Sequence, residues 1–253
     1  MATTVGEFTL STLSSRMLRR SIVESYTQAI RLLGLWDEPL ESVTPSCLHQ
    51  LLLAVPNPNT RRKYIVVLRS LFREESWIRD FKIPKGSPRI YHLPDEDSLR
   101  FALMLCPFEL NGLLMMYAGL RCGETCAVSP RDLRGNVLAV HRQRYADGSI
   151  VQAKTVGEVV IPSWLALRVE QMAEQKATPG AVRESLRRYG RKTGIDLTPH
   201  MLRHWYATMM VNRRINPEIA RRQMRHADLK TTLGYYAQVS KADIDKVVSD
   251  LFG

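Results

Sequence analysis

The chain has 253 residues, 45% of them hydrophobic, which is enough for a sizeable core in one large domain or two smaller ones. It contains no run of eighteen apolar residues and no basic N-terminal segment followed by a long apolar one, so we expect no membrane span, no signal peptide and a cytoplasmic location. A net charge of +11 favours a polyanionic partner such as nucleic acid.

The first 85 residues are predicted to form a small helical domain. Helical spacing of apolar residues indicates a helix over residues 15–35, a second over 47–55 and a third from 60 to about 75. Residues 1–14 show little periodicity and are predicted to be a loose arm. The third helix is expected to bury one face, formed by Tyr64, Val67, Leu68, Leu71 and Phe72.

A proline-rich segment separates this domain from the rest of the chain. Residues 81–94 contain three prolines and a glycine, and we place a linker at residues 86–94. The second domain, residues 95–253, begins with acidic residues that complement the dipole of a helix over 97–105. A strongly apolar helix over 108–117 is predicted to lie in its core.

The stretch Ala118-Gly-Leu-Arg-Cys-Gly-Glu124 combines a turn with an arginine and a carboxylate. Gly119 permits a tight turn, Arg121 opens a helix, and Glu124 lies one turn further on, where it could hold the guanidinium. An arginine at a helix N-terminus is suited to binding phosphate. The alternative interpretation is an ordinary surface Arg–Glu pair. Two nearby thiols, Cys122 and Cys126, have no further metal ligands beside them and are expected to be reduced and packed.

Residues 132–162 change to a period of two. Strand segments are predicted over 136–140, 142–145, 150–153 and 159–161, with a turn at Asp147-Gly148, and together they predict a three-stranded antiparallel sheet. The fold class is therefore mainly α with a small antiparallel β-sheet. Lys154 is predicted at the connection between the last two strands, where a solvated turn lysine is the ordinary interpretation.

A helix is predicted over 162–175 and a basic helix over 181–194. Between residues 180 and 226 the chain has eleven Lys or Arg residues against three Asp or Glu. A solubilising helical face would account for such a surplus. Its position beside the histidines and arginine of the next segment favours nucleic acid, and the segment lacks the apolar face that a membrane-binding helix would need.

The segment 198–239 carries most of the predicted chemistry. Thr198-Pro199 is a helix start, and His200 and Arg203 lie three residues apart on one helix face. His226 follows, and two tyrosines lie nine and ten residues beyond it. An arginine binds phosphate in a bidentate fork, an imidazole donates a hydrogen bond or moves a proton, and a phenol can attack phosphorus to form an ester. No acidic metal cluster accompanies these residues, so we expect no cofactor and no metal.

These motifs resemble the signature of the tyrosine recombinases, the family of phage integrases and Xer-like resolvases. The family pattern is H-x-x-R, then a glycine-histidine pair, a Thr-rich helix start and the nucleophile, and here it reads His200-Met-Leu-Arg203 and Arg225-His226-Ala-Asp-Leu-Lys-Thr-Thr-Leu-Gly-Tyr-Tyr236. Arg225 stands where the family has glycine, which is expected to alter the local turn. The Arg121 motif looks like the G-L-R-x-x-E motif of the same family.

The resemblance implies a fold, an activity and roles for the residues. It implies an N-terminal helical core-binding domain and a C-terminal catalytic domain, and we expect that this length leaves no room for an additional N-terminal arm-binding domain. Arg121 and Arg203 would bind the scissile phosphate of double-stranded DNA, with Glu124 behind Arg121, and His200 and His226 would add hydrogen bonds. Lys154, the only lysine between Lys85 and Lys176, would protonate the leaving 5′ oxygen.

Two tyrosines compete for the role of nucleophile, because both family spacings from the second histidine occur. Tyr236 fits the local patterns Thr-Thr-Leu-x-x-Tyr and Tyr-x-x-Val, and Tyr235 is the alternative. The attacking tyrosine would be left joined to the 3′ phosphate. Because the ester conserves the bond energy, rejoining would need no ATP.

The implied function is site-specific DNA recombination by a homotetramer on two duplexes. A helix over 241–252 could pack on its own domain or dock on a neighbouring protomer. Within the same chemistry, the alternative is a type IB topoisomerase-like nicking-closing enzyme. From another class, the alternative is a non-catalytic DNA-binding regulator that keeps the fold.

Overall fold

The computed structural model describes residues 3–18, 20–84 and 93–229. The chain divides into two compact units, Met1–Ile90 and Tyr91–Gly253. The predicted linker at 86–94 lies mostly outside the described residues, as do the nucleophile candidates Tyr235 and Tyr236 and the predicted last helix at 241–252. In the described part of the chain, no helix is both long and apolar enough to cross a membrane.

The described part of the first unit is helical. Its α-helices are α1 (Val5–Ser14), α2 (Arg20–Leu32), α3 (Pro45–Leu53) and α4 (Pro58–Leu71). A single apolar core joins them. The predicted inner face of the third helix, now α4, is confirmed, because Tyr64, Val67, Leu68, Leu71 and Phe72 are all buried.

The prediction of a loose N-terminal arm is wrong, because residues 5–14 form α1. Thr4 caps this helix: its hydroxyl accepts a hydrogen bond from the Glu7 amide at 3.2 Å, and the Glu7 carboxylate accepts one from the Thr4 amide at 2.9 Å. The buried face of α1 includes Gly6 and Thr9, a small and a polar residue, which hide the helical period of apolar residues. The predicted start of the next helix at residue 15 is also wrong, since α2 begins at Arg20.

The second unit places helices around a small sheet. Its elements are α5 (Glu96–Met104), α6 (Glu109–Ala118), α7 (Cys122–Thr125), β1 (Leu133–Arg134), β2 (Val137–Arg144), β3 (Ile150–Val160), α8 (Ser163–Glu170), α9 (Pro179–Thr193), α10 (Pro199–Asn212) and α11 (Pro217–Met224). Helix α6 is the centre of the core, because seven of its ten residues are buried and the other three are half-buried. It packs against α10. The predicted fold class, mainly α with a small antiparallel sheet, is confirmed.

The strands pair in the order β1-β2-β3, all antiparallel. Pairing runs from Val137 opposite Val160 to Val140 opposite Gly157, and it resumes with Arg142 opposite Gln152. Four residues of β3, 153–156, therefore stand opposite the single residue His141. This irregularity is a bulge in the middle of the sheet.

The predicted partition of the strands is wrong in one respect that concerns the site. The sequence indicated two short strands on either side of Lys154, whereas the structure has one strand, β3, from Ile150 to Val160. Lys154 lies inside its bulged segment rather than at a connection, and the third strand of the sheet is the short β1. A bulge interrupts the alternation of apolar and polar residues, and in the sequence this looks like a turn.

Candidate active site

Arg121 lies in the tight turn between α6 and α7. Gly119 ends that helix in the left-handed conformation, with φ of 61°, and Arg121 then caps α7. Glu124 holds Arg121 twice: its carboxylate accepts from the Arg121 amide at 2.7 Å and from Nη1 at 2.9 Å. Glu124 is buried, with 1% of its surface exposed, whereas about a third of the Arg121 side chain remains exposed. The carboxylate fixes the guanidinium and leaves part of it open to a ligand.

Helix α10 positions His200 and Arg203. The Thr198 hydroxyl caps its first turn by accepting from the Met201 amide at 3.2 Å. His200, in the first turn, is exposed, whereas Arg203, one turn further on, is buried. Arg203 Nη2 donates to the carbonyl of Met224 at 2.7 Å, at the end of α11. That bond fixes the guanidinium two residues before His226.

His226 follows the end of α11 and is buried, with 7% of its surface exposed. Its amide donates to the Arg221 carbonyl at 3.1 Å, and Arg221 Nη1 donates to the carbonyl of His226 at 3.0 Å. The pKa of His226 is lowered to about 4, first because burial disfavours the charged imidazole and then because Arg203, Arg121 and Arg225 repel it. At neutral pH the imidazole is uncharged and can donate one hydrogen bond to an anion.

The chain turns at Arg225 through the left-handed conformation, with φ of 49° and ψ of 46°. This is the conformation that glycine favours, so Arg225 adopts a backbone geometry that the family's glycine could also adopt. The Arg225 side chain is buried, and its Nη2 donates to the Glu124 carboxylate. Sequence comparison with the family pattern singled out this position, but it gave no sign that the side chain reaches Glu124.

A hydrogen-bonded path therefore joins the two predicted phosphate-binding arginines. Arg121 is bound to Glu124, Glu124 to Arg225, and the carbonyl next to Arg225 to Arg203. Both arginines also lower the pKa of His226, which places them in one electrostatic environment. The site combines these groups from three distant segments of the chain.

Gln223 ties α11 to the sheet and was missed by sequence reasoning. Its side chain accepts from the Val160 amide and donates to the Val160 carbonyl, both at 3.0 Å. Gln223 therefore completes the pairing of β3 at its end and sets the position of the helix that carries His226. A glutamine on a polar helix face gives no sequence signal for this contact.

Lys154 and His200 are both exposed in the structure. Lys154 lies three residues before Gly157, and a Cβ atom on that glycine would lie 3.3 Å from Cδ of Arg225. The bulge that carries Lys154 thus adjoins the buried cluster. The two nucleophile candidates lie outside the described residues, so Tyr236 and Tyr235 stay predictions.

Tyr206 is the tyrosine next to this cluster in the described part of the chain. It is 7% exposed, burial raises the pKa of its phenol to about 12, and its hydroxyl accepts a weak hydrogen bond from Gln223 at 3.4 Å. A buried phenol that resists ionisation suits packing rather than attack on a phosphate.

Sequence comparisons identify the family to which these residues belong. Residues 133–243 match the phage integrase family. Over 193 residues the chain is 30% identical to the tyrosine recombinase XerA of Thermococcus onnurineus, and the match covers 68% of each protein. It is 28% identical over 184 residues to XerA of Saccharolobus solfataricus, with 70% of this chain and 62% of that relative covered.

Solved structures share the fold at low sequence identity. The Tn1549 transposon integrase in complex with a circular intermediate DNA superposes with a TM-score of 0.79 at 16% identity, covering 98% of this chain and all of that one. The lambda integrase, solved as a tetramer bound to a Holliday junction, gives a TM-score of 0.69 at 19% identity, covering 96% of this chain and 81% of that one. With the sequence match to XerA, the chain belongs to the tyrosine recombinases of the phage integrase family.

Proposed function

We propose that this chain is a site-specific DNA recombinase that cleaves and rejoins strands through a 3′-phosphotyrosyl intermediate, without a metal ion or ATP. The observation that carries the proposal is the bonded path from Arg121 through Glu124 and Arg225 to Arg203, with His226 beside it. Fixed cations of this kind stabilise the charge that develops on a phosphate under attack.

Each residue has a step in the proposed reaction. Arg121 and Arg203 bind the non-bridging oxygens of the scissile phosphate, and neutral His226 donates a hydrogen bond to it. His200 takes the phenolic proton of Tyr236 as that oxygen bonds to phosphorus. The bond from phosphorus to the 5′ oxygen breaks, and Lys154 gives a proton to this leaving oxygen. Attack by the 5′ hydroxyl of another strand reverses these steps.

Recombination joins two duplexes, so the proposed working form is a homotetramer on paired sites in the cytoplasm. The lambda integrase tetramer on a Holliday junction, which shares this fold, supports that assembly. The segment 241–252, with apolar residues at helical spacing, is the proposed contact between neighbouring protomers.

The test is a covalent trap. DNA from either side of the chain's own coding sequence is nicked at random positions and incubated with the protein. A nick just beyond the cleavage point releases a short fragment that diffuses away, so rejoining fails and the adduct accumulates. We expect adducts from the unmodified chain and from Tyr235→Phe, and none from Tyr236→Phe. The matched control is Tyr145→Phe, at an exposed tyrosine of the β2–β3 hairpin.

The outcomes separate the functions. If Tyr236→Phe forms the adduct and Tyr235→Phe does not, the nucleophile is Tyr235. Absence of adduct from the unmodified chain would overturn the proposal in favour of a DNA-binding regulator. Relaxation of supercoiled plasmid by a monomer, without exchange between two sites, would favour the nicking-closing enzyme.

A further inference from the structure

Arg225 holds a backbone conformation that costs free energy. At φ of 49° a residue with a Cβ atom is crowded against its own carbonyl, a penalty that glycine avoids. Such a conformation persists only where the surrounding structure fixes it, and it is often associated with a functional site.

The left-handed turn directs the side chain across the second unit. Cγ and Cδ of Arg225 lie over Gly157 of β3, where a Cβ atom would be 3.5 and 3.3 Å from them. Beyond that strand the guanidinium meets Glu124, which is 101 residues away in sequence. Both side chains are almost fully buried, with 2% and 0% exposed.

The contact between Arg225 and Glu124 changes the charge balance of the cluster. Within the described part of the chain, the Glu124 carboxylate is bound by Arg121 and by Arg225. Without Arg225, Arg121 would be the remaining counter-ion of Glu124. The Glu124 carboxylate would then neutralise the positive charge with which Arg121 binds the phosphate. With Arg225 present, the cluster of Arg121, Arg203, Arg225 and Glu124 has two positive charges in excess. A phosphodiester carries one negative charge, and the five-coordinate state reached on attack carries two.

A purely structural role fits poorly. Nε and Nη1 of Arg225 are buried and have no hydrogen-bond partner among the residues that the structure describes. A buried guanidinium with so few bonds destabilises a fold, and an apolar side chain would fill the space over Gly157 at lower cost. The positive charge of Arg225 is therefore what an apolar side chain at this position could not supply.

We propose that Arg225 is a third arginine of the cleavage site, a positioning residue that takes up the negative charge of Glu124 so that Arg121 keeps its positive charge for the scissile phosphate. This inference rests on the proposed function. It assigns Arg225 no contact with DNA.

The test is a double-mutant cycle read as single-turnover adduct formation on trapping DNA, with protein in saturating excess. Arg225→Met keeps the length of the side chain and the strained backbone but removes the charge. We expect adduct formation to slow at least about tenfold, with about 10²–10³, the loss for a donor that bonds the reacting oxygen directly, as the upper bound, because Arg225 acts through Arg121. Arg225→Lys keeps the charge and should retain most of the rate. Adding Glu124→Gln to Arg225→Met removes the stranded carboxylate and should restore part of the loss.

The control is Arg222→Met, on the same helix, where the side chain is 77% exposed and bonded to Glu218 at 3.1 Å. It should form adduct at the unmodified rate. A second readout is the pKa of His226, followed by NMR of the imidazole. Loss of the Arg225 charge should raise this pKa above about 4 by only part of the distance to 6.5, because burial, Arg203 and Arg121 lower it more than Arg225 does. An unchanged pKa would mean that Arg225 adds no positive charge to the site.

The result that overturns the inference is an Arg225→Met protein that cleaves at the unmodified rate, or a double variant slower than Arg225→Met alone. If Arg225→Met does not fold, the rates of Arg225→Lys and of the double variant test the inference instead. If both of these proteins fold and both cleave equally slowly relative to the unmodified chain, the inference is also overturned. If the unmodified chain forms no adduct, the proposed function fails. The His226 measurement then still decides whether Arg225 sets the charge of the cluster.

Discussion

His226 is buried among arginines, and its protonation is therefore coupled to folding. In the folded chain the pKa of His226 is about 4, against 6.5 for an unperturbed histidine. Between these values the unfolded chain binds more protons, so the free energy of unfolding should fall as the pH drops from 6.5 to 4. The fall should reach at most about 3 kcal/mol. Urea unfolding at a series of pH values measures it.

The control for this pH dependence is His226→Gln, which removes the titrating group. The pKa of His204 is also lowered by burial, so the unmodified chain has more than one source of acid sensitivity. The difference in slope between the two proteins isolates His226. Parallel curves between pH 4 and 6.5 would contradict the assigned environment.

Gly119 is a second residue that affects the site, because an added Cβ atom there would clash with its neighbours. A Cβ atom there would lie 2.7 Å from Cδ1 of Tyr206 and 2.9 Å from Sδ of Met224. We expect Gly119→Ala to lower the free energy of unfolding by roughly 1–3 kcal/mol through overpacking. Cleavage should slow further, because Arg121 is only two residues away. Chemical denaturation and the adduct assay measure the two effects.

The matched control is Gly148→Ala in the β2–β3 hairpin. Gly148 has φ of 86°, and a Cβ atom there would meet no described atom within 4 Å. It shares the backbone strain of Gly119 and lacks the clash. Equal destabilisation by the two substitutions would mean that contacts around Gly119 add nothing to backbone strain.

Residues in local motifs could be predicted from sequence, because spacing along one helix fixes which side chains share a face. His200 and Arg203 illustrate this case, as does Glu124 one turn after Arg121. Arg225 illustrates the opposite case. Its partner lies 101 residues away, and only the fold brings them together.

At the scale of elements, the contact between α11 and β3 sets the position of His226. Gln223 makes both hydrogen bonds to Val160. We expect Gln223→Ala to cost about 1–3 kcal/mol in the free energy of unfolding, because it removes two hydrogen bonds between the helix and the strand. Amide exchange along α11 should accelerate, and adduct formation should slow.

The comparison variant for Gln223 is Gln171→Ala, at an exposed glutamine that caps the end of α8. Its amide exchange and cleavage should match those of the unmodified chain. If Gln223→Ala left exchange in α11 unchanged, the helix would be held by its apolar contacts instead.

The elements missed from sequence were those whose pattern is interrupted. Helix α1 buries Gly6 and Thr9 among its apolar residues, so its period is weak. Strand β3 contains a bulge at residues 153–156, which breaks the alternation and imitates a turn beside Lys154. Helix α6, an almost uninterrupted apolar run, was predicted to within one residue at each end, and the buried face of α4 was predicted although the helix ends at Leu71, about four residues earlier than expected.

At the scale of the whole molecule, the chain has a net charge of +11, and helix α9 exposes part of the surplus of cations. Helix α9 buries Val182 and Leu186 and exposes a row of cations, Arg183, Arg187, Arg188, Arg191 and Lys192. Arg187 is bonded to Glu184 at 2.6 Å, which reduces its availability to a polyanion. We expect the other cations of this row to contact DNA phosphates.

Neutralising Arg183, Arg188 and Arg191 together with glutamine should therefore weaken DNA binding and flatten its salt dependence. Removal of each cation that binds a phosphate should lower the slope of log K against log salt by about 0.9, because fewer counterions are released.

The control triple changes Arg20, Arg73 and Arg168 to glutamine, three exposed arginines already bonded to glutamates. Both triples remove three positive charges, so they share any effect of net charge alone. Equal slopes for the two variants, measured by fluorescence anisotropy across a salt series, would show that α9 has no special contact with DNA. A flatter slope for the α9 triple alone would place the DNA along that helix.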